Sequence, residues 1–397
     1  MMTRSDAFLA TAVVLMAAAG SCPSTFASAL ELIAANCDDL SALPTTLTED
    51  TNLLLDVPSI TYGNPDLNWI SCDTITTVHV DGPYKFIVTT DMDNYNFENA
   101  RFEVKGGADL TFAIEGGFSF NYAESQGTDG GAIYVESGSS ATFDVPSKVN
   151  FEGNTVEAGY SGGVVYAGGE VVFTGDAVFI SNEARSSGDE PAGYGGAVAV
   201  GPEGSLEFQG ALEFTDNKAQ SGGSGGAIAN FGSLVFRRKS YFWFNTAAED
   251  ANGDGGFGGA IYAGYGSTTE FFRRTIWFYS EAASGGALYN LGEVMLYSNG
   301  FIRGNKAMGS VKAEGGHIYN LASAIGGEPT YTGGQIQLNG DKVNFREGEA
   351  KRGGAYFSGG PGSSLSYHTA PNLFDNSASE YCDDYASGNT DPPTCSS

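Results

Sequence analysis

Two short patterns alternate along the middle of this chain, and together they leave it very few ways to fold. The first is a double glycine followed by a small and usually an aliphatic residue. It occurs at Gly130-Gly131-Ala132-Ile133, Gly162-Gly163-Val164-Val165, Gly195-Gly196-Ala197-Val198 and Gly225-Gly226-Ala227-Ile228. It continues at Gly258-Gly259-Ala260-Ile261, Gly285-Gly286-Ala287-Leu288, Gly315-Gly316-His317-Ile318 and Gly353-Gly354-Ala355-Tyr356, with successive second glycines 27 to 38 residues apart. The second pattern is Phe-x-x-Asn, at Phe118/Asn121, Phe151/Asn154, Phe179/Asn182, Phe214/Asn217 and Phe242/Asn245. Degenerate copies follow at Phe278/Glu281, Ile302/Asn305, Phe345/Gly348 and Leu373/Asn376. Most copies carry another large apolar residue six positions before the Phe, among them Phe112, Phe173, Phe208, Phe236, Phe272 and Leu296.

Each repeat therefore offers three short strands, and a unit of about thirty residues cannot bury their inward side chains alone. Stacked coil on coil, parallel strands pair about 4.8 Å apart and the apolar positions join into one continuous core. The fold expected is all-β: a right-handed parallel β-helix with three short strands per coil and capped ends. Side chains alternate along a strand, so with Ile133 and its equivalents inward, Ala132 and Tyr134 are expected outward. Glycines permit positive φ at the corners, and the Asn after each Phe suits a turn whose amides ladder between coils. Turn signals recur too often for helices of normal length. The chain holds 57 glycines beside 26 Phe and 20 Tyr, without the period of collagen and with too much apolar residue for disorder.

Four segments follow. Residues 1–29 read as a secretory signal: Arg4, an apolar run from Ala7 to Gly20, and an A-x-A cleavage site at Ala27-Ser28-Ala29. Residues 30–75 lack the repeat and are expected to cap the first coil. Residues 76–376 form the β-helix, with 322–335 as a protruding loop, and 377–397 cap the last coil. No other run approaches the ~20 apolar residues that a membrane-spanning helix needs. Removing the signal takes Cys22 and leaves Cys37, Cys72, Cys382 and Cys395, which permit about three pairings. Across a rigid rod only Cys37–Cys72 and Cys382–Cys395 come within bonding distance. The net charge of −28 disfavours nucleic acid and anionic lipid and keeps an extracellular β-rich protein soluble.

The paired GG-A-I and F-x-x-N motifs resemble the repeats of the chlamydial polymorphic outer-membrane proteins, which also occur in right-handed β-helices of the pectin-lyase-like class. The resemblance covers roughly residues 100 to 376. It implies a β-helix, and in that family the repeats form a surface passenger linked to adhesion. The C-terminal membrane barrel that normally follows them is not recognisable in the tail TDPPTCSS, so the resemblance does not extend to outer-membrane anchoring.

Two neighbouring repeats align without a gap at an offset of 36: Phe236-Arg237-Arg238-Lys239-Ser240-Tyr241-Phe242-Trp243 and Phe272-Arg273-Arg274-Thr275-Ile276-Trp277-Phe278-Tyr279. With Phe236, Phe242, Phe272 and Phe278 inward, the residues Arg237, Arg238, Tyr241, Trp243, Arg273, Arg274, Trp277 and Tyr279 form an exposed basic aromatic face. Aromatic rings stack on sugars, and Arg pairs bidentately with carboxylate or sulfate. The face is expected to bind an extracellular glycan or a cell-surface protein; the competing account is local charge balance with cation–π packing between coils. Tyr262, Tyr289, Tyr319 and Phe357, with His317 on the same face, read as an aromatic ladder. Asn230, Asn290 and Asn320 are expected to stack inside a turn.

Asp250, Asn252 and Asp254 match the start of a calcium loop, but Ile261 stands where the bidentate Glu belongs, so calcium has weak support and no other cofactor is implied. Enzymes on this fold cleave or epimerise acidic polysaccharide, which makes a lyase or epimerase the alternative function. A lyase needs a cation and a base, and a hydrolase needs paired carboxylates. No paired-Asp motif stands on a recognisable strand, and His79, His317 and His368 are scattered, so no residue is assigned a catalytic role.

Overall fold

A computed structural model describes residues 30–34, 42–43, 51–55, 68–90, 95–125, 127–157, 159–185, 193–310, 313–321, 334–359, 363–381, 385–387 and 394–396. All regular elements among them are strands, wound into a right-handed parallel β-helix. One coil shows the plan. Ile228–Asn230 follows the double glycine, Ser233–Phe236 carries the first Phe, and Ser240–Trp243 leads into F-x-x-N. A fourth strand of two residues, Thr246–Ala247, comes after the Asn and was not expected. Each strand pairs in parallel with its equivalents one coil before and after: Ile228 lies between Val198 and Ile261, and Phe236 between Phe208 and Phe271. The one antiparallel strand pair among the described residues joins Tyr385–Ser387 to Thr394–Ser396 at the C-terminal end. There a reversal covers backbone groups that another coil would otherwise take.

Both glycines of the corner are required, for different reasons. The first of each pair has positive φ, +72° at Gly130 and +73° at Gly225, which a side chain rarely tolerates. A Cβ on the second, such as Gly226, would sit 2.1 Å from the Gly259 carbonyl oxygen of the next coil. The interior then fills with ring stacks. Phe143 and Phe173 lie 4.3 Å apart at 3°, and Phe179 and Phe214 lie 4.5 Å apart at 13°. Between the third and fourth strands runs a buried amide ladder. Asn154 donates to Asn182, Asn182 to Asn217 and Asn217 to Asn245, at 2.9–3.0 Å. Each Nδ2 also donates to a carbonyl one coil back, as Asn182 does to Phe151. In a second corner Asn290 donates to Asn320 at 2.9 Å, as expected, whereas Asn230, opposite Ala263, does not join that stack and donates to Thr268 O and Thr269 Oγ1.

Three expectations need correcting. First, Phe271 and Trp277, not Phe272 and Phe278, continue the files of Phe236 and Phe242. Both residues of each pair are apolar, so parity alone does not choose between them. The deciding position comes three residues later. The shorter offset puts Ser280 into the buried amide file, whereas the longer one would bury the Glu281 carboxylate, which costs several kcal/mol unpaired. Second, Phe118 and Phe120 both face inward, and Phe120 is the one that pairs with Phe151. Ala123, not Asn121, therefore occupies the ladder position and donates its backbone N–H to Asn154 Oδ1. Third, Ala132 and its equivalents are wholly buried at the tight corner, and so is His317.

His317 is a paired replacement. It stands in the file of small corner residues, next to a coil in which Gly348 holds the Asn position. A Cβ on Gly348 would lie 2.8 Å from His317 Nε2, so the imidazole occupies space that an asparagine side chain fills elsewhere. Nδ1 takes up the ladder with Asn305 Nδ2 at 3.1 Å, while Nε2 has no partner among the described residues.

Cys72 is buried and disulfide-bonded; Cys37 lies outside the described residues, as do Cys382 and the side chain of Cys395. Residues 1–29 and 322–333 are outside them as well.

Burial holds His317 neutral, with its pKa pushed down to about 3. The unfolded chain takes up this proton near pH 6.5, so the contribution to stability is whole above about 6.5 and falls toward pH 3, by about 1.4 kcal/mol per pH unit. The variant His317→Gln keeps an amide in the ladder without the titration. Urea denaturation at pH 7 and pH 5 should show a smaller acid-induced loss of stability for it than for the natural chain; an equal loss would mean that His317 is not held neutral.

Candidate ligand-binding groove

The turn between the second and third strands holds three residues in five successive coils. Its first residue donates its N–H to the coil before, as Arg237 does to Phe208 O (2.8 Å) and Phe272 to Phe236 O (2.9 Å). Those bonds fix the register, so the next two positions form columns. One column runs Gly175, Gly210, Arg238, Arg273, Ser298; the other runs Asp176, Ala211, Lys239, Arg274, Asn299. Along this edge lies an open groove of about 620 Å³ that begins at Pro146 and ends at Ser298. Its floor at Gly175 and Gly210 is backbone. A Cβ on Gly175 would lie 1.9 Å from Val145 O, and one on Gly210 would lie 2.1 Å from Gly175 O.

Arg238, Lys239, Arg273 and Arg274 are exposed and have no ion pair among the described residues. Several other cations on the coils are ion-paired, typically across one coil: Arg237 with Glu207 at 3.0 Å, Arg303 with Glu347 and Lys306 with Glu349 at 2.8 Å. Lys148, Lys218 and Lys342 form no ion pair among the described residues, but each has a carboxylate as its register or chain neighbour, Asp176, Glu183 and Asp341. Two like charges one coil apart repel by about 1 kcal/mol even in water, and like charges directly opposite on paired strands destabilise a sheet. In a chain of net charge −28 carboxylates are abundant. The concentration of four unpaired cations thus costs stability and has no structural partner.

The eight residues expected to form one face are dispersed. Arg238, Arg273 and Arg274 line the groove; Arg237 sits beside it, paired to Glu207 and lying 4.6 Å over the Phe272 ring. Tyr241 and Trp243 face outward along the third strand, with Trp243 edge-on to Phe278 at 4.9 Å. Tyr279 is exposed at the far corner, stacked on Phe244 at 5.4 Å, and its ring covers Gly304. Trp277 is a correction: it is fully buried beneath Phe242 and cannot meet a ligand. The aromatic pair next to the cations is Phe272 and Tyr297, stacked at 4.8 Å. These rings were missed because Phe272 was assigned to the core; the Ser280/Glu281 choice was the signal that would have found them.

The other candidates make local contacts of their own. Tyr262, Tyr289, Tyr319 and Phe357 spend their faces on one another at 4.7–5.6 Å, and His317 lies inside the coil instead of on their side. Asp250 accepts from the N–H groups of Asn252 and Asp254, both at 2.8 Å, which holds its carboxyl below the usual range and closes the loop on itself. Among the described residues no group of three His, Cys, Asp or Glu could hold a metal, and no helix is long and apolar enough to cross a membrane. A buried Arg101–Glu103 pair, not singled out in the sequence, caps the first double-glycine corner: Arg101 donates to Gly130 O (2.8 Å) and Asp129 O (2.9 Å). Burial works to raise the Glu103 carboxyl, but hydrogen bonds from Lys105 and Arg101 together outweigh it and hold the group down at about 2.

No family model, no curated relative and no solved structure matches this chain.

If the four cations repel without a structural partner, converting one to an acid should stabilise the free protein. Arg273→Glu places a carboxylate beside Arg238 and should raise the urea-unfolding free energy by about 0.5–1 kcal/mol. A loss of that size would show instead that Arg273 supports the coil.

Proposed function

We propose that this is a secreted or cell-surface recognition protein that binds an anionic extracellular ligand, a glycan in preference to a protein surface, through the groove at the second-to-third strand turn. The observation that carries the reading is the set of four exposed, unpaired cations on adjacent coils of a strongly acidic protein. Guanidinium groups bind carboxylate or sulfate in a planar, bidentate manner, and an open groove accepts a chain instead of a small molecule. The secretory segment expected at residues 1–29 and the likeness of the repeats to chlamydial polymorphic outer-membrane passengers point the same way.

The lyase or epimerase alternative needs a base next to the cations. The carboxylate that shares the groove, Asp176, lies two coils from Lys239, about 10 Å along the rod, and its Oδ1 accepts from Ala211 N at 2.7 Å. That separation supports holding over proton abstraction.

The test is titration of the mature protein with a sulfated or uronate-bearing glycan at low and high salt. Binding should weaken as salt rises, and replacing Arg238, Lys239, Arg273 and Arg274 together by Ser should cost at least about 100-fold in affinity, since each charge-assisted contact contributes more than 1 kcal/mol. Unchanged affinity in that variant would remove the groove from the function.

A further inference from the structure

The groove is not the same from end to end. Cations occupy two of its coils, Arg238 with Lys239 and Arg273 with Arg274. In the two coils before them the same columns read Gly210 with Ala211 and Gly175 with Asp176. The floor there is bare backbone, because no side chain fits on either glycine. The charge at that end is negative on balance, since the Asp176 and Asp144 carboxylates are both exposed there and only Lys148, opposite Asp176, offsets them. Thr174 and Gln209 supply uncharged hydrogen-bonding groups beside the floor.

Resting on the reading of the groove as an anion-binding site, we propose that its ligand is a glycan chain with its charge confined to one end: a terminal carboxylate or sulfate at Arg238, Lys239, Arg273 and Arg274, and a neutral, hydroxyl-rich segment over Gly210 and Gly175. A uniform polyanion does not fit this polarity. Laid along the rod, its second or third charge reaches Asp176, about 10 Å from Lys239, and meets repulsion where the first met attraction. A hydroxyl-bearing chain instead finds backbone and polar groups at close range, with no protruding side chain in the way. Two coils of neutral floor measure about 10 Å, enough to hold an extended segment in contact instead of a single ring. An acidic peptide has the head charge but carries side chains for which a flat glycine floor provides no pocket.

The experiment compares four probes at low salt by calorimetric titration: inorganic sulfate, a neutral trisaccharide, the same trisaccharide sulfated at one terminus, and trigalacturonate, charged on every ring. The terminally sulfated trisaccharide should bind at least about fivefold tighter than sulfate or trigalacturonate, and the neutral one should be weakest. Ala211→Trp, which fills the neutral trough one coil before Lys239, should weaken the terminally sulfated probe about tenfold and change sulfate, which keeps Arg238, Arg273 and Arg274, by less than about twofold. Gln209→Trp, at a more exposed position of the same turn, gives the same comparison should the first variant fail to fold.

Trigalacturonate binding tightest, the terminally sulfated probe binding no better than sulfate, or a silent trough variant would each overturn the proposal while leaving the cation site standing. A tri-aspartate peptide binding tighter than every glycan would overturn it in favour of a protein partner. If the fourfold Ser variant binds all probes as the natural chain does, the anion-binding reading itself fails, which is a different result.

Discussion

Coil-to-coil register is held by the buried amide file between the third and fourth strands. Asn154, Asn182 and Asn217 each join three coils at once: Nδ2 donates to a carbonyl of the coil before and to the amide oxygen of the coil after, and that same oxygen also receives the backbone N–H. These groups have no access to water, so an unmade bond leaves a buried polar atom at a cost of about 1–3 kcal/mol. A slip of one residue breaks several such bonds together and turns every inward side chain out. The phenylalanine stacks add area and dispersion but tolerate sliding, whereas the amides do not. The surface grid follows from this register, and so does the groove.

Departures from the repeat show how firmly that file is maintained. Where Ser280 or Gly348 replaces Asn, the backbone half of the ladder is kept: Asn305 Oδ1 accepts the Ser280 N–H, and Asn376 Oδ1 accepts the Gly348 N–H. His317 contributes an imidazole from a different file to meet Asn305. The substitutions leave Ser280 Oγ, Trp277 Nε1 and His317 Nε2 without partners among the described residues. Tyr95 Oη and Asn96 Nδ2 are unpaired toward the N-terminal end, but three of the five buried orphans among the described residues gather between residues 277 and 317, in and just beyond the cationic coils. Interior irregularity there coincides with the surface feature that most resists a structural explanation.

The β-helix, its strand assignments and the inner asparagines were legible in the sequence because glycine pairs and F-x-x-N carry geometry in the residues themselves. A double glycine marks a corner that no Cβ fits, and a Phe three residues before an Asn marks the entry to a buried turn. The fourth strand, only two residues long, gave no periodic signal. The frame around Phe271 to Phe278 was ambiguous because Phe-Phe and Trp-Phe satisfy inward and outward parity equally, and only the penalty on burying Glu281 resolves it. That single residue moved Trp277 into the core, brought Phe272 out beside Arg237, and split one expected face into a groove, a strand surface and a far corner. The cations were visible in the sequence, but their want of partners was not, since ion pairing across coils depends on the register.

The surface columns therefore depend on Trp277 being interior. Iodide quenching of tryptophan fluorescence in a variant with Trp69→Phe and Trp243→Phe, which leaves Trp277 as the single indole, tests this directly. The register described here predicts blue-shifted emission that iodide does not quench in the folded protein and does quench after unfolding. Ready quenching in the folded state would place Trp277 outside, restore the longer offset, and dissolve the column that sets Arg238 against Arg273.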